Sequence, residues 1–210
     1  MRRIFGFYAL PLRILVRPLA GFYEMKYENK GTIRLALLNF ILVCLSVSFS
    51  NQYSSLMVNP SHPMELNSFM DFGMLTGALI LFCVSNWSVT CLTDGEGRFK
   101  DIFMAVCYAM TPLVLTIAPA AILSNFLTME ETGIYFLIMS LGMVYFVMLA
   151  FVGLVTVHNF SVAKAVLTVF LTAIALLIIV FLLTLLFTLW QQLWGFVYSL
   201  YTEIMFRPRR

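Results

Sequence analysis

Charge is scarce in this chain. Asp, Glu, Lys and Arg make up 11% of its 210 residues, and five stretches hold none of them: Leu35 to Tyr53, Phe72 to Thr93, Ile102 to Met129, Thr132 to Ala163 and Ala165 to Leu189. A soluble domain spreads charge over its surface, so this distribution excludes one. Cysteine is scarce as well. Cys44, Cys83, Cys91 and Cys107 fall in the uncharged stretches without a close pair. That excludes a disulfide framework or a thiolate metal centre and leaves them as small apolar side chains. The two histidines, His62 and His158, belong to different connections on opposite sides of the expected topology, so they cannot share a metal. There is no nucleotide-binding glycine loop, no histidine–glutamate zinc signature and no nucleophile elbow. No catalytic residue, cofactor or metal is expected, and nothing calls for nucleic acid.

What the chain has instead is hydrophobic residues, 61% of the total. Each uncharged stretch supplies the roughly 20 residues a helix needs to cross a hydrocarbon core about 30 Å thick. Backbone polar groups in lipid must pair within the segment, so these stretches are expected to be helices. A barrel would alternate apolar and polar residues, and the run from Ala173 to Leu183 does not alternate. The expected fold is all-α: a polytopic integral membrane protein, a bundle of five transmembrane helices with interfacial amphipathic segments at both ends. The boundaries follow the charge: 1–34 a basic N-terminal segment, 35–189 the five-helix domain, 190–210 an aromatic interfacial helix.

Basic residues set orientation. Arg2, Arg3, Arg13, Arg17, Lys26, Lys30 and Arg34 precede the first stretch, Arg98 and Lys100 fill the second connection, and Lys164 the fourth. The first and third connections carry no Lys or Arg. This alternation places the N-terminus in the cytoplasm and, after five spans, the C-terminus outside. No signal peptide stands at the start, so insertion by the first span is expected. Ile4, Phe5, Tyr8, Leu12, Leu15, Val16 and Leu19 form an apolar stripe beside the early arginines, interrupted by Pro11 and Pro18. Such a segment suits the inner membrane surface and anionic lipid.

The closing Arg207-Pro208-Arg209-Arg210 runs against an outside C-terminus. The early signal overriding it, a re-entrant last stretch and a sixth partial crossing all accommodate that; the first is favoured. Trp190, Trp194, Tyr198 and Tyr201 recur on one helical face. They are expected either to lie along the outer interface as anchors or to form an aromatic belt on an over-long fifth helix.

Polar residues within the spans are few. Asn39, Asn86 and Tyr108 fall at similar depths, roughly 8–10 Å inside the boundary. They are expected to bond one another across the first three helices, the alternative being their own backbones or a partner subunit. Gly73 and Gly77, like Ala105 and Ala109, are spaced for close packing inside the bundle or at a dimer seam. Pro112 and Pro119 are expected to kink the third span and free carbonyls four residues earlier. Asp94-Gly95-Glu96-Gly97 with Asp101 reads as a solvated turn, with divalent cation binding as the alternative.

Asn86-Trp87-Ser88-Val89-Thr90, Asp94-Gly95-Glu96-Gly97, Asp101-Ile102, Tyr108 and Pro112 resemble the central signature of the Yip-domain (Ypt/Rab-interacting) membrane proteins. Phe22-Tyr23-Glu24-Met25-Lys26-Tyr27-Glu28 resembles the bacterial branch of that family. The resemblance implies five spans with a cytoplasmic start. It also implies a non-enzymatic role in the cell membrane through other integral membrane proteins. In the bacterial branch these partners would include sugar-uptake ABC transporter permeases. Asn39, Asn86, Trp87, Asp94, Gly95, Gly97, Asp101, Tyr108 and Pro112 are the residues expected to carry structure or partner binding. The reading is a scaffold or accessory subunit; a small-solute channel or transporter acting as an oligomer is the alternative.

Overall fold

A computed structural model describes residues 9–59 and 67–206. Arg2, Arg3, Ile4, Phe5, Tyr8, His62 and Arg207 to Arg210, which entered the orientation and anchoring arguments, lie outside the described residues. In chain order the helices are α1 (Ala9–Val16), α2 (Pro18–Lys26), α3 (Ile33–Tyr53), α4 (Ser68–Leu92), α5 (Phe99–Ala109), α6 (Thr111–Ser124), α7 (Thr132–His158) and α8 (Val162–Phe206). A 3-10 turn, Met129–Glu131, leads into α7. Five units are long and apolar enough to cross a membrane: α3, α4, α5 with α6, α7 with its leading turn, and α8. The chain is an all-α, multi-pass membrane protein.

Local chemistry sets the helix ends. The Asn67 side chain accepts the backbone N–H of Phe69 at 3.1 Å and of Met70 at 3.3 Å, capping α4. After α4 and α7 the chain turns left-handed, at Asp94 and Asn159, both with φ 54°. Asp and Asn tolerate that region better than other side-chain-bearing residues. In each turn the next N–H reaches back five residues, Gly95 to Thr90 at 2.9 Å and Phe160 to Val155 at 3.1 Å.

The third span breaks where proline requires it. α5 ends at Ala109 and α6 starts at Thr111, with Pro112 in its first turn and Pro119 inside it. This span is also the centre of the bundle: Ile102, Cys107, Tyr108 and Ala109 are wholly buried. α6 crosses α7 so closely that a Cβ on Gly142 would strike Thr116. Ala105 is buried beside these residues, as its small size suggests. Gly73 and Gly77 do not pack inside the bundle, which leaves the dimer seam of the two expected alternatives. A Cβ at either meets nothing within 4 Å. The first half of α4 bonds to α3 through Ser68 and Asp71 but leaves its other face uncovered, with Phe69, Met70, Met74 and Ile80 exposed.

α1 and α2 fold back on each other, joined by an Arg13–Glu24 ion pair of 2.6 Å. A Cβ on Gly21 would sit 2.6 Å from Ile14 Cγ1, so this close crossing depends on glycine. The hairpin buries a different face from the expected stripe. Leu10, Ile14, Phe22 and Met25 are its buried residues, while the expected stripe members Leu12, Val16 and Leu19 face outward. α2 runs alongside α7 in the same direction. The Tyr145 hydroxyl donates to the Leu15 carbonyl, Phe22 packs on Gly153 and Lys26 Nζ donates to the Val157 carbonyl at 2.6 Å.

α8 continues without interruption for 45 residues, about 67 Å at 1.5 Å per residue. That is twice the hydrocarbon core and more. Only Ala165, Thr168 and Thr172 are buried along it. Trp190, Trp194, Tyr198 and Tyr201 are exposed on this same helix, so no separate helix begins at residue 190. The reason is local: no proline falls between residues 162 and 206, and Gly195 has helix on both sides.

Candidate functional site

The face that carries the Asp94–Arg98 connection concentrates the signature residues, and a residue outside the signature organises them. His158, the last residue of α7, is 2% exposed. Its Nδ1 accepts the Gly97 N–H at 3.3 Å. An accepting Nδ1 assigns the proton to Nε2, which then donates to Asn86 Oδ1 at 3.3 Å. Asn86 Nδ2 donates to Thr172 Oγ1 at 3.1 Å, and that hydroxyl donates to the Thr168 carbonyl at 2.7 Å. One directional chain of hydrogen bonds thus joins the 94–98 connection to α7, α4 and α8. Each donor in it is matched to an acceptor, the condition under which a buried polar network strengthens a fold.

The glycines are required by that ring. A Cβ on Gly95 would sit 2.7 Å from His158 Nδ1, and one on Gly97 would sit 2.6 Å from Cε1. Phe160 stacks on the imidazole, with ring centroids 5.2 Å apart. Around this clasp the charged residues also bond locally. Lys26 reaches Glu96 at 3.5 Å as well as the Val157 carbonyl. Asn159 Nδ2 donates to Glu96 Oε1 at 3.4 Å. Asp101 Oδ2 accepts the Arg98 N–H at 3.3 Å, closing the start of α5. Asp94 is exposed and supplies the left-handed turn. Trp87, partly exposed, meets Phe99 edge-on at 6.3 Å. Among the described residues no group of three or more His, Cys, Asp or Glu side chains is placed to hold a metal.

Asn39 and Tyr108 form a second, separate group at the break in the third span. Pro112 has no N–H for the Tyr108 carbonyl; the Thr111 hydroxyl donates to it at 2.6 Å. Asn39 Nδ2 donates to the neighbouring Cys107 carbonyl at 2.6 Å and lies 3.3 Å from Thr111 Oγ1. The buried Tyr108 hydroxyl donates to the Thr32 carbonyl at 2.9 Å and accepts the Thr32 N–H at 3.2 Å. The expected layer of Asn39, Asn86 and Tyr108 is therefore divided. Asn39 bridges the first and third spans, Tyr108 holds the approach to the first, and Asn86 turns to the fourth and fifth. Equal depth does not decide which way a side chain faces around its helix.

His158, Thr172, Lys26 and Thr111 are the members that sequence reasoning overlooked as site residues. The signal for His158 was a lone imidazole closing an otherwise apolar span. For Thr111 it was a hydroxyl next to a mid-span proline. Away from this face, a shallow groove of about 110 Å³ between α3 and α4 is lined by Ile41, Cys44, Leu45, Ser48, Ser68 and Phe72.

No curated protein and no solved structure matches the chain. The family model of the Yip1 domain does match, over residues 12–200. That stretch takes in both polar groups, the broken third span and most of α8. By that match the chain belongs to the Yip1-domain family.

Proposed function

We propose that the protein is a non-enzymatic membrane scaffold or accessory subunit that binds other integral membrane proteins. The observation that carries this reading is the uncovered apolar surface of α8, on which only Ala165, Thr168 and Thr172 are buried. α4 adds to it with the exposed face of its first half. Apolar residues all round a helix suit burial among lipid and other helices. The polar signature residues support the same reading from the other side: their hydrogen bonds are spent within the fold. The alternation of basic connections favours a cell-membrane orientation with the 94–98 face and the N-terminus on the cytoplasmic side and the C-terminus outside. The family resemblance favours sugar-uptake ABC transporter permeases as partners, an analogy at the level of the family.

The test is recovery of the full chain from its native membrane in mild detergent, with mass spectrometry of what accompanies it. Stoichiometric recovery of another membrane protein, lost when Leu183, Phe187 and Trp190 are changed together to alanine, is the expected result. A bare oligomer that passes a neutral solute in liposomes would replace the scaffold with a channel.

A further inference from the structure

The depth of the N-terminal hairpin points to a lipid site. Tyr145 stands thirteen residues from each end of α7, at Thr132 and His158. That is about 20 Å from either end at 1.5 Å per residue. Its hydroxyl donates to the carbonyl of Leu15, so the turn between α1 and α2 lies level with the middle of a membrane span. Phe22 on Gly153 and Lys26 on Val157 follow in register toward the 94–98 face. The hairpin therefore enters the bundle from that face and turns halfway through.

The turn pairs part of its backbone inside the protein. In a continuous helix the Leu15 carbonyl would take the N–H of Leu19, but the chain breaks at Arg17 before Pro18. Tyr145 supplies the missing donor. The Arg17 N–H bonds to the Arg13 carbonyl at 2.7 Å, and the Arg17 carbonyl accepts the Gly21 N–H at 2.9 Å. Pro18 has no N–H to satisfy. Irregular backbone at membrane depth is tolerated where protein buries it or where it lines a water-filled cavity, and here α7 covers the Leu15 side of the turn through Tyr145. The flanking residues Val16 and Leu19 are 77% and 66% exposed, an apolar surface that fits lipid.

One charge stands against this background. Arg17 is exposed at the tip, and none of the ion pairs among the described residues includes it. The nearby carboxylates are engaged: Glu24 with Arg13 and Lys30, Glu28 with Lys30. A cation at mid-membrane must reach the interface, admit water or gain an anion. The hydrocarbon half-thickness of about 15 Å is far longer than an arginine side chain. The anion a bilayer offers is the phospholipid phosphate, which the guanidinium fork binds through two parallel hydrogen bonds.

We propose that residues 9–26 form a re-entrant hairpin whose Arg17 holds the phosphate of a phospholipid, drawn toward the bilayer interior beside α7. Two measurements on the full chain test it. The first uses liposomes of phosphatidylethanolamine and phosphatidylglycerol. A spin label on Val16→Cys, in a chain carrying Cys91→Ser, is expected to be relaxed by oxygen and shielded from a water-soluble nickel chelate. Free access of the chelate overturns the re-entrant placement. The second is native mass spectrometry of detergent-purified protein given phosphatidylglycerol. Arg17→Gln is expected to lower lipid occupancy about tenfold, a loss of about 1.4 kcal/mol. Arg17→Lys is expected to retain more than Arg17→Gln, and Arg34→Gln to match the unsubstituted chain. Retention by Arg17→Gln equal to the unsubstituted chain, equal loss in the Lys and Gln variants, or displacement of the lipid by inorganic phosphate each overturns the assignment.

Discussion

The third and fifth spans are both long and uncharged, yet they do opposite work. Half of the best apolar window of the third span is buried inside the protein, against 11% for the fifth. The third is short-jointed: proline breaks it, Thr111 and Asn39 take the carbonyls released, and Tyr108 anchors the approach to the first span. The fifth is unbroken and has its buried residues only in its first three turns, where Thr172 meets Asn86. Hydropathy alone ranks them the wrong way round as core elements, because lipid and protein interior are equally apolar. What distinguishes a core span here is small residues, prolines and hydroxyls, which allow close approach and need protein partners.

If that contrast is right, the largest effects fall on close crossings in the core. Gly142→Leu would drive a side chain into Thr116. It is expected to destabilise by about 3 kcal/mol or more, the upper range of overpacking, read by thermal unfolding in detergent. Gly97→Ala pushes on the His158 ring and the Val157 side chain and is expected to cost about 1–3 kcal/mol.

Next come the polar groups. Asn39→Leu leaves the Cys107 carbonyl without its side-chain donor, and Asn86→Leu leaves His158 Nε2–H unpaired. Each is expected to cost about 1–3 kcal/mol. The two lie in separate networks, so their effects should add within about 0.5 kcal/mol. A larger coupling would restore the single layer that depth suggested. By contrast, Asn86→Leu and His158→Phe share a network and are expected to couple measurably.

The hairpin responds to acid. Glu24 sits below the usual carboxylate range because Arg13 and then Lys30 donate to it, while Lys30 is raised by Glu28 and Glu24. A depressed carboxylate contributes its stabilisation above its unfolded value of 4.5 and loses it as pH falls through the lower folded value. Hydrogen-exchange protection at the open end of the hairpin, where the Tyr27, Lys30 and Gly31 N–H groups bond back to residues 23–25, should therefore hold at neutral pH and decline below about 4.5. Glu24→Gln should flatten that profile. The smallest effect belongs to the fifth span: Phe187→Ala should shift fold stability by less than about 0.5 kcal/mol while weakening partner recovery.

The spans were legible because lipid leaves the backbone one solution and repels charge. The helix break was half legible: Pro112 and Pro119 each remove a donor, but the span breaks only before Pro112, and Pro119 lies inside α6. The end of the fifth span was not: aromatic residues at interfacial spacing leave a long helix and a separate one equally open, and only the uninterrupted backbone hydrogen bonding from residue 162 to 206 decides. The clasp was half legible. Asn86, Gly95 and Gly97 stood out, but His158 lies more than 60 residues away on another helix, and no local pattern links them.

The sequence by itself determined the class, the number of spans and two candidate positions for the break, since these depend on hydropathy, charge and proline within short windows. The tertiary structure alone decided which polar groups pair, that Gly73 and Gly77 face open space, and that the N-terminal segment folds into a hairpin packed along α7. Those outcomes depend on the rotation of one helix against another, set by packing between residues distant in the chain.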